Sequence, residues 1–352
     1  MIVCDLRYRI MCLSIVMMLL YNTYYFKQFS SNKINKTRIN HIHKFNISIY
    51  KETPSLLIAC IVVTFKKPND DDTAKVTAHH QMALMYKKLE PYIQGYLANT
   101  PTSMEYATGV WRDTGHSTTQ ILNKTETNEY NTPHLSSMLL QTERVCPSTA
   151  LFIGYANADI LFDYGLIHTL EALQNWDNEK HNLVIVGQRL NLDLLDISNA
   201  NQQLIQYHIN STKKSLFSDS IVNKAELFID VAQDYFIFSR SLLQSMSLNQ
   251  SNPSDKWILP NYVIGRRAYD NAIVDWAHHH ACLVDATLTV QAIHQTTSDG
   301  NYAGHSMDNL DKEYNVNLPD AVYDHGSTGF ARYQTINKKG IIEIRDKQNI
   351  NG

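Results

Sequence analysis

Apolar and polar positions along this chain follow two periods, one typical of buried strands and one typical of helices. Strands buried on both faces are predicted where apolar residues run without interruption: 56–65, 150–155 and 183–186. Helices are predicted where apolar residues recur at three- and four-residue steps: 77–97, 135–142 and 165–173. Strands that alternate with helices favour an α/β fold, with a mostly parallel central sheet and helices on both faces.

Outside these elements the pattern weakens. Residues 98–134 read as irregular, and the last forty or so residues are polar with little periodicity. An apolar run at 10–26 just reaches the length of a membrane span and predicts an uncleaved signal anchor, with a cleaved signal peptide as the alternative. The predicted organisation is a short tail (1–9), the anchor (10–26), a polar stem (27–54), a folded domain (55–310) and a polar extension (311–352).

Charge and cysteine content narrow the class of protein. A net charge of −3, with lysines and arginines scattered along the chain, offers no basic stripe and excludes a nucleic-acid binder. The five cysteines form no C-x-x-C pair, which excludes a zinc ribbon or a disulfide-rich scaffold. One bridge between Cys146 and Cys282 remains open, whereas Cys60 lies in an apolar run and is interpreted as core packing.

Two observations bear on the compartment. Asn-x-Ser/Thr acceptors begin at Asn35, Asn46, Asn123, Asn210 and Asn249. They would be used only in the secretory pathway, although roughly four are expected by chance in so asparagine-rich a chain. More basic residues follow the 10–26 run than precede it, which opposes a lumenal domain. We predict a single-pass type II protein of the Golgi or endoplasmic reticulum membrane with a lumenal folded domain; a secreted protein is the alternative.

Polar residues that follow apolar runs are the candidates for chemistry. Asp159 stands in ALFIGYANADILF (150–162), and an ionised carboxylate buried there needs water or a cation, since an unpaired one costs several kcal/mol. Similar settings hold Asp193, Asp234, Asp270, Asp285, His294 and His305. Strand ends gather ligands in open α/β sheets, so these groups predict a site for Mg²⁺ or Mn²⁺.

The same residues also have structural interpretations. Asp159 could form an Asx turn at a strand end, and Asp270 could cap the helix that follows it. Asp193 and Asp234 could each pair with an arginine. The candidate partners are Arg189, Arg266 and Arg267.

Two clusters of like residues are interpreted as structural. The three aspartates at 70–72 resemble a cation site but are typical of a solvated loop. The three histidines at 278–280 end a predicted helix, where imidazoles suit the negative end of the helix dipole, and we interpret them in that way rather than as metal ligands.

Eight segments, in their order along the chain, resemble the GT-A class of nucleotide-sugar glycosyltransferases, and within it a group similar to glycosyltransferase family 2. They are IVVTFKKP (61–68), NTPHLSSML (131–139), GYANADILF (154–162), VGQRLNLD (186–193), DYFIFSR (234–240), LPNYVIGRRAYDNAIV (259–274), LVDAT (283–287) and AIHQTTSDGNYAGH (292–305). Together they span about 55–310. The resemblance implies a GT-A, Rossmann-like fold for that domain.

The resemblance also implies roles for individual residues. Asn157-Ala158-Asp159 takes the place of the D-x-D motif that holds a divalent metal against the donor diphosphate, with Asn in place of the first Asp. Asp159 is then the main metal ligand, with His294 or His305 as a further one. Asp270 corresponds to the general base that removes the proton of the acceptor hydroxyl. The donor-binding candidates are Thr64, Phe65, Lys66, Asn157, Arg189 and Asp193; the acceptor-binding candidates are Asp234, Tyr235 and Asn271.

The predicted function is metal-dependent transfer of a sugar, with inversion, from a nucleotide-diphosphate donor to a hydroxyl of a glycan, glycoprotein or small molecule. A carbohydrate- or nucleotide-sugar-binding protein without turnover is the first alternative, because the D-x-D motif is incomplete. A nucleotidyltransferase ranks last, since the loop KKPNDDD (66–72) lacks the glycines of a phosphate-binding loop.

Overall fold

A nine-stranded sheet is the centre of the described part of the chain. The computed structural model describes residues 57–69, 71–98, 103–122, 125–176, 182–193, 216–217, 222–248, 259–297, 300, 309–318 and 322–348. All of them belong to one compact unit, Phe45–Gly352. The predicted anchor and stem, the five Asn-x-Ser/Thr asparagines and His305 lie outside the described residues. Within the described ranges no helix is long and apolar enough to cross a membrane.

Thirteen strands form two sheets in these ranges. They are β1 (Ala59–Val63), β2 (Ile93–Ala98), β3 (Ile121–Leu122), β4 (Phe152–Ala156), β5 (Ile160–Phe162), β6 (Leu183–Val186), β7 (Leu190–Asp193), β8 (Glu226–Leu227), β9 (Tyr235–Ser239), β10 (Cys282–Asp285), β11 (Ala292–Thr296), β12 (Tyr333–Lys338) and β13 (Ile341–Asp346). The large sheet has the order β13-β12-β10-β6-β9-β4-β1-β2-β3, in which β9 and β13 run antiparallel to their neighbours. The small sheet has the order β5-β11-β7-β8.

Helices cover both faces of the large sheet. They are α1 (Thr73–Leu89), α2 (Met104–Asp113), α3 (Leu135–Val145), α4 (Gly165–Gln174), α5 (Arg240–Leu248) and α6 (Tyr269–His280). Ile61 and Val63 of β1 pack into the hydrophobic cluster that includes α1, α2 and α4, whereas Cys60 and Val62 pack into the cluster of α3, α5 and α6. Successive side chains of β1 point to opposite faces of the sheet, and on each face they are buried against helices. This confirms the predicted α/β class with helices on both faces.

Most predicted elements are confirmed: the three apolar runs overlap β1, β4 and β6, and the helices at 135–142 and 165–173 are α3 and α4. The helix predicted over 77–97 is wrong in its second half, since α1 ends at Leu89 and 93–98 is β2. Pro91 explains the break, because proline has no backbone N–H to continue a helix.

Two stretches that read as irregular contain regular structure. Residues 98–134 include α2, and the polar C-terminal stretch supplies β12 and β13, which extend the large sheet at one edge. In β12 the buried positions are Tyr333 and Thr335, separated by the half-buried Gln334. Few aliphatic residues mark this alternation, so the hydrophobic pattern does not predict these strands.

The disulfide pairing differs from the Cys146–Cys282 bridge that the sequence leaves open. Cys60 of β1 and Cys146, which ends α3, form a buried disulfide with Cα atoms 6.2 Å apart. Cys282 begins β10, four strands away from β1 in the order of the sheet, so the bridge from Cys146 to Cys282 is wrong. The interpretation of Cys60 as core packing is confirmed, since the residue is fully buried, and the bond to Cys146 is a feature that the sequence does not predict.

Candidate functional site

The candidate residues gather at the carboxyl ends of the parallel strands. Asn157, Ala158 and Asp159 follow β4 directly and lead into β5, which confirms the predicted strand end. Arg189 connects β6 to β7. Asp234 precedes the antiparallel β9, and its carbonyl accepts the backbone N–H of Asn157 (2.9 Å). This edge is where ligands bind in open α/β sheets.

Asp159 and His294 form a pair across the small sheet. His294 of β11 lies opposite Ile160 of β5 in the antiparallel register, which places it beside Asp159. His294 Nε2 lies 3.3 Å from Asp159 Oδ2, with the side chains 7% and 36% exposed, respectively. Burial alone would raise the pKa of the Asp159 carboxyl, but the charge and hydrogen bond of His294, aided by Arg189 and His79, lower it to about 2. Asp159 is therefore ionised at neutral pH.

The geometry of this pair fits a shared divalent cation. Oxygen and nitrogen ligands lie about 2.0–2.2 Å from such an ion, so two of them at octahedral or tetrahedral angles are about 3.0–3.4 Å apart. The 3.3 Å between Asp159 Oδ2 and His294 Nε2 falls in this range. Asp159 Oδ1 is buried and has no hydrogen-bond partner among the described residues, so it is left to accept a ligand.

Arg189 and Asp234 form a buried ion pair beside this site, and their side chains are only 6% and 8% exposed. The Arg189 Nη1 contacts Asp234 Oδ2, its Nε donates to Asn191 (3.0 Å), and its guanidinium lies over the Phe228 ring (4.4 Å). The structural alternative for Asp234 is thereby confirmed. Arg266 and Arg267, the other candidate partners, pair instead with Asp311 and Glu313.

Asn157 ties this ion pair to two tyrosines. Its Nδ2 donates to Asp234 Oδ1 (2.7 Å), while its Oδ1 accepts from Tyr155 Oη (2.8 Å) and Tyr269 Oη (3.1 Å). An aspartate at 157 would bring two carboxylates into contact, since it has no N–H to donate to Asp234. The contacts explain why an amide stands at the first position of the motif, and they occupy the polar atoms of Asn157.

Asp270 lies in the first turn of α6, partly exposed and next to this network. Burial, helped by the negative charge of Asp234, raises the pKa of the Asp270 carboxyl to about 7. The neighbouring Asn271 is engaged with protein, since its Nδ2 donates to the carbonyls of Val231 (2.6 Å) and Gly326 (3.0 Å). Of these two adjacent residues, Asp270 has the protonation behaviour of an acid–base group.

The loop after β1 has polar side chains that reach solvent and one buried aromatic ring. Thr64 is partly exposed and Lys66 exposed, but the Phe65 ring is buried and stacks on His79 with ring centroids 4.8 Å apart. The ring of Phe65, a predicted donor-binding residue, is thus packed beneath the loop and is not open to a donor. Tyr235, a predicted acceptor-binding residue, is likewise fully buried, with its ring edge-to-face against Phe162.

Two further residues lie near this edge of the sheet: Asp193, which the sequence predicts, and His79, which it does not. Asp193 is exposed at the end of β7, opposite Thr296 of β11 in the parallel register. His79 of α1 was not predicted as a site residue, yet it is electrostatically coupled to Asp159 and hydrogen-bonded to Tyr106 (3.0 Å). Burial lowers the pKa of His79 to about 4, so its ring is neutral at pH 7. In the sequence it is one more position of an amphipathic helix, which gave no sign of this role.

Asp163, just after β5, makes stability depend on pH. It is buried, and burial raises the pKa of its carboxyl from 3.8 to about 7, although its Oδ1 accepts the Gly165 N–H (2.9 Å). The folded state therefore keeps this proton up to about pH 7, whereas the unfolded chain loses it near pH 4. The stabilisation is complete below about pH 4 and is lost as pH rises through about 7.

We expect Asp163→Asn, which retains the accepting oxygen without a charge, to remove this dependence. Between pH 4 and pH 8 the variant should gain about 4 kcal/mol of unfolding free energy relative to the unsubstituted chain. Urea denaturation at the two pH values measures the difference. Asp113→Asn, at the exposed end of α2, is the matched control and should leave the dependence unchanged. Parallel pH profiles for Asp163→Asn and the unsubstituted chain would contradict the expectation.

Comparison with known proteins gives only distant structural likenesses. No protein-family model matches the chain, and no curated protein matches it significantly. One similar solved structure is described as a glucose-1-phosphate thymidylyltransferase from Bacillus anthracis in complex with sucrose; it has a TM-score of 0.37 and 10% identity, over 70% of this chain and 91% of that one. Another is a UDP-glucose pyrophosphorylase complexed with UDP-glucose, with a TM-score of 0.25 and 9% identity, over 54% of this chain and 79% of that one. At these TM-scores neither likeness carries an inference about function.

Proposed function

We propose that this chain is a divalent-cation-dependent glycosyltransferase that moves a sugar from a nucleoside-diphosphate donor to a hydroxyl acceptor with inversion. The observation that carries the proposal is the Asp159–His294 pair, 3.3 Å apart at the carboxyl edge of the sheet. A carboxylate and an imidazole at ligand-to-ligand distance, with a second carboxylate oxygen unpaired, suit Mn²⁺ or Mg²⁺.

Asp159 and His294 would hold the cation in this proposal. A bound divalent cation supplies positive charge that stabilises the departing diphosphate. Lys66, which is exposed on the loop after β1, would contact a phosphate, and Thr64 and Asp193 are the remaining candidates for donor contacts. The charge of Arg189 is balanced by Asp234, and Asp234 in turn accepts a hydrogen bond from Asn157. Arg189 would therefore act indirectly, by fixing the position of the segment that carries Asn157 and Asp159.

Asp270 would act as the general base. A sugar hydroxyl is a poor nucleophile, and a carboxylate that takes its proton during attack speeds transfer by about 10²–10⁴. A base works best when its pKa is close to the working pH, and the pKa of Asp270 is about 7. Asn271, whose Nδ2 donates to the carbonyls of Val231 and Gly326, would hold this end of α6 in place rather than contact the acceptor.

The compartment is proposed on a separate observation. The Cys60–Cys146 disulfide is the kind of bond that forms and persists in secreted proteins and in the lumen of the secretory pathway. This supports a lumenal or secreted catalytic domain, with the 10–26 segment as its membrane anchor or signal peptide.

The test combines ligand binding with identification of the products. Nucleotide sugars with different bases are screened by thermal shift with and without Mn²⁺, and each stabilising donor is then incubated with sugar acceptors and analysed by mass spectrometry. We expect a rise in melting temperature only when donor and metal are both present, since the cation would bridge the protein and the diphosphate. A ligand at 100 times its Kd stabilises the folded state by about 2.7 kcal/mol, which is large enough to measure. Glycosylated acceptor and free nucleoside diphosphate should form together.

The controls separate this proposal from its alternatives. Asp159→Asn should lose the metal-dependent part of the shift, whereas Asp113→Asn should keep it. Release of pyrophosphate from sugar phosphate and a nucleoside triphosphate, without any sugar transfer, would identify a nucleotidyltransferase and overturn the proposal. Donor binding with no product from any acceptor would identify a binding protein instead.

A further inference from the structure

Three histidines meet on the outer side of α6, away from the candidate active site. His278 and His279 are exposed near the end of the helix, and His325 is partly exposed on the segment that runs alongside it. One ring nitrogen of each residue lies within 4.8 Å of those of the other two. The His278 and His325 rings stack with centroids 4.7 Å apart. Such spacing brings three imidazoles close enough to ligate one ion once the side chains rotate so that their lone pairs converge.

Hydrogen bonds fix which nitrogen of each ring can coordinate. Nδ1 of His278 lies 3.2 Å from the Phe330 carbonyl, and Nδ1 of His279 lies 2.9 Å from the Asp275 carbonyl. Nδ1 of His325 lies 3.1 Å from the Asp275 carboxylate. Each acceptor is an oxygen, so we assign the proton of each neutral ring to Nδ1, which leaves the lone pair on Nε2. Metal-binding histidines use the same arrangement, with the second nitrogen donating to a carbonyl or carboxylate.

Asp275 supplies a negative charge behind the cluster. Its side chain is only 4% exposed, and Oδ1 accepts both the backbone N–H (2.7 Å) and the ring of His325. Its Oδ2 lies 3.6 Å from His279 Nδ1. The Asp275 carboxylate thus orients the His325 ring and adds negative charge close to His279, and both favour a cation bound by these rings.

The cluster is separate from the Asp159–His294 site. Asp270 lies in the first turn of α6 and His279 near its end, about 13 Å further along the helix axis. His278 and His279 line a cleft of about 890 Å³ that Lys347 and Phe330 also border. None of the residues proposed above for sugar transfer lines this cleft.

We propose that His278, His279 and His325 form a second metal site, selective for Zn²⁺ or another borderline transition ion over Mg²⁺ and Mn²⁺. Neutral imidazoles prefer such ions, whereas the oxygen-rich sites of Mg²⁺ use carboxylates and carbonyls. Three protein ligands leave a fourth position of a tetrahedral ion for water or an external ligand from the cleft. The histidines at the end of this helix thus have a use beyond the dipole interaction that the sequence suggests.

The test is calorimetric titration of tag-free protein with Zn²⁺, with Mg²⁺ present in excess. Asp159→Asn is used as the background, so that the candidate active site does not contribute. We expect one Zn²⁺ equivalent that is bound at least 100-fold more weakly after His278→Ala combined with His325→Ala. Asp275→Asn should weaken binding about 10- to 100-fold, as is typical when a partner of a ligating imidazole is changed. His280→Ala, in the same run of histidines, is the matched control and should leave the affinity unchanged.

Circular dichroism of each variant shows whether it is folded; neither the exposed His278 nor the partly exposed His325 belongs to the hydrophobic core. Equal Zn²⁺ affinity before and after the paired histidine substitution would overturn the proposal. Loss of the Zn²⁺ equivalent through Asp159→Asn alone would also overturn it, since the ion would then belong to the other site.

Discussion

Replacing Asp270 with asparagine is expected to lower kcat for sugar transfer by about 10²–10⁴ while leaving donor binding intact. Asparagine has nearly the same shape but cannot take a proton from the acceptor hydroxyl. Asparagine at 270 keeps one accepting oxygen, and Tyr269 and Asn271 on either side make hydrogen bonds that hold this end of α6. The measurement is steady-state kinetics with the donor and acceptor found by the product assay, alongside the donor-induced thermal shift.

The pH profile is the second readout for Asp270. A base must be ionised to act, and the pKa of Asp270 is about 7, so kcat/KM should rise up to about pH 7 and level off above it. In Asp270→Asn the residual rate should lose this acidic limb. Asp113→Asn should behave like the unsubstituted chain in both respects. A variant at 270 with an unchanged rate, or with the same acidic limb, would show that another group takes the proton.

The sequence predicts the buried strands well because their signal is local. The run at 56–65 is apolar at every position that β1 uses, and β1 is buried on both faces, so pattern and environment agree. The predicted helix runs past the end of α1 because Leu89, Ile93 and Leu97 keep a four-residue step across Pro91. Ile93 and Leu97 are also an even number of residues apart, so they fall on one side of strand β2 equally well.

The sequence identifies many residues of the candidate site but does not show which of them contact one another. Asp159 and His294 were both named from their positions after apolar runs, but their pairing depends on β5 and β11 meeting in the small sheet. The amide of Asn157 is explained only by Asp234, which is 77 residues away in the chain. Burial is the other quantity that the local sequence does not give for Phe65, because its ring is buried by contacts such as that with His79 of helix α1.

The Arg189–Asp234 pair provides the second large effect, on stability. Arg189→Met should lower the free energy of unfolding by about 3–5 kcal/mol, because it leaves the buried Asp234 carboxylate without its cation. Arg267→Met is the matched control, since Arg267 pairs with Glu313 at the surface and such pairs contribute about 1 kcal/mol or less. Urea denaturation of both variants at pH 7 gives the comparison. Equal losses for the two would mean that Asp234 does not depend on Arg189.

A double substitution decides whether the cost comes from charge or from packing. Adding Asp234→Asn to Arg189→Met removes the unpaired charge, while the new amide oxygen can still accept from Asn157 Nδ2, so much of the lost stability should return. Asp234→Asn also removes the negative charge that helps to raise the pKa of Asp270. The acidic limb of the activity profile should therefore move to lower pH in the double variant. If the stability recovers but the acidic limb stays at the same pH, the ion pair matters for folding, and Asp234 does not set the pKa of Asp270.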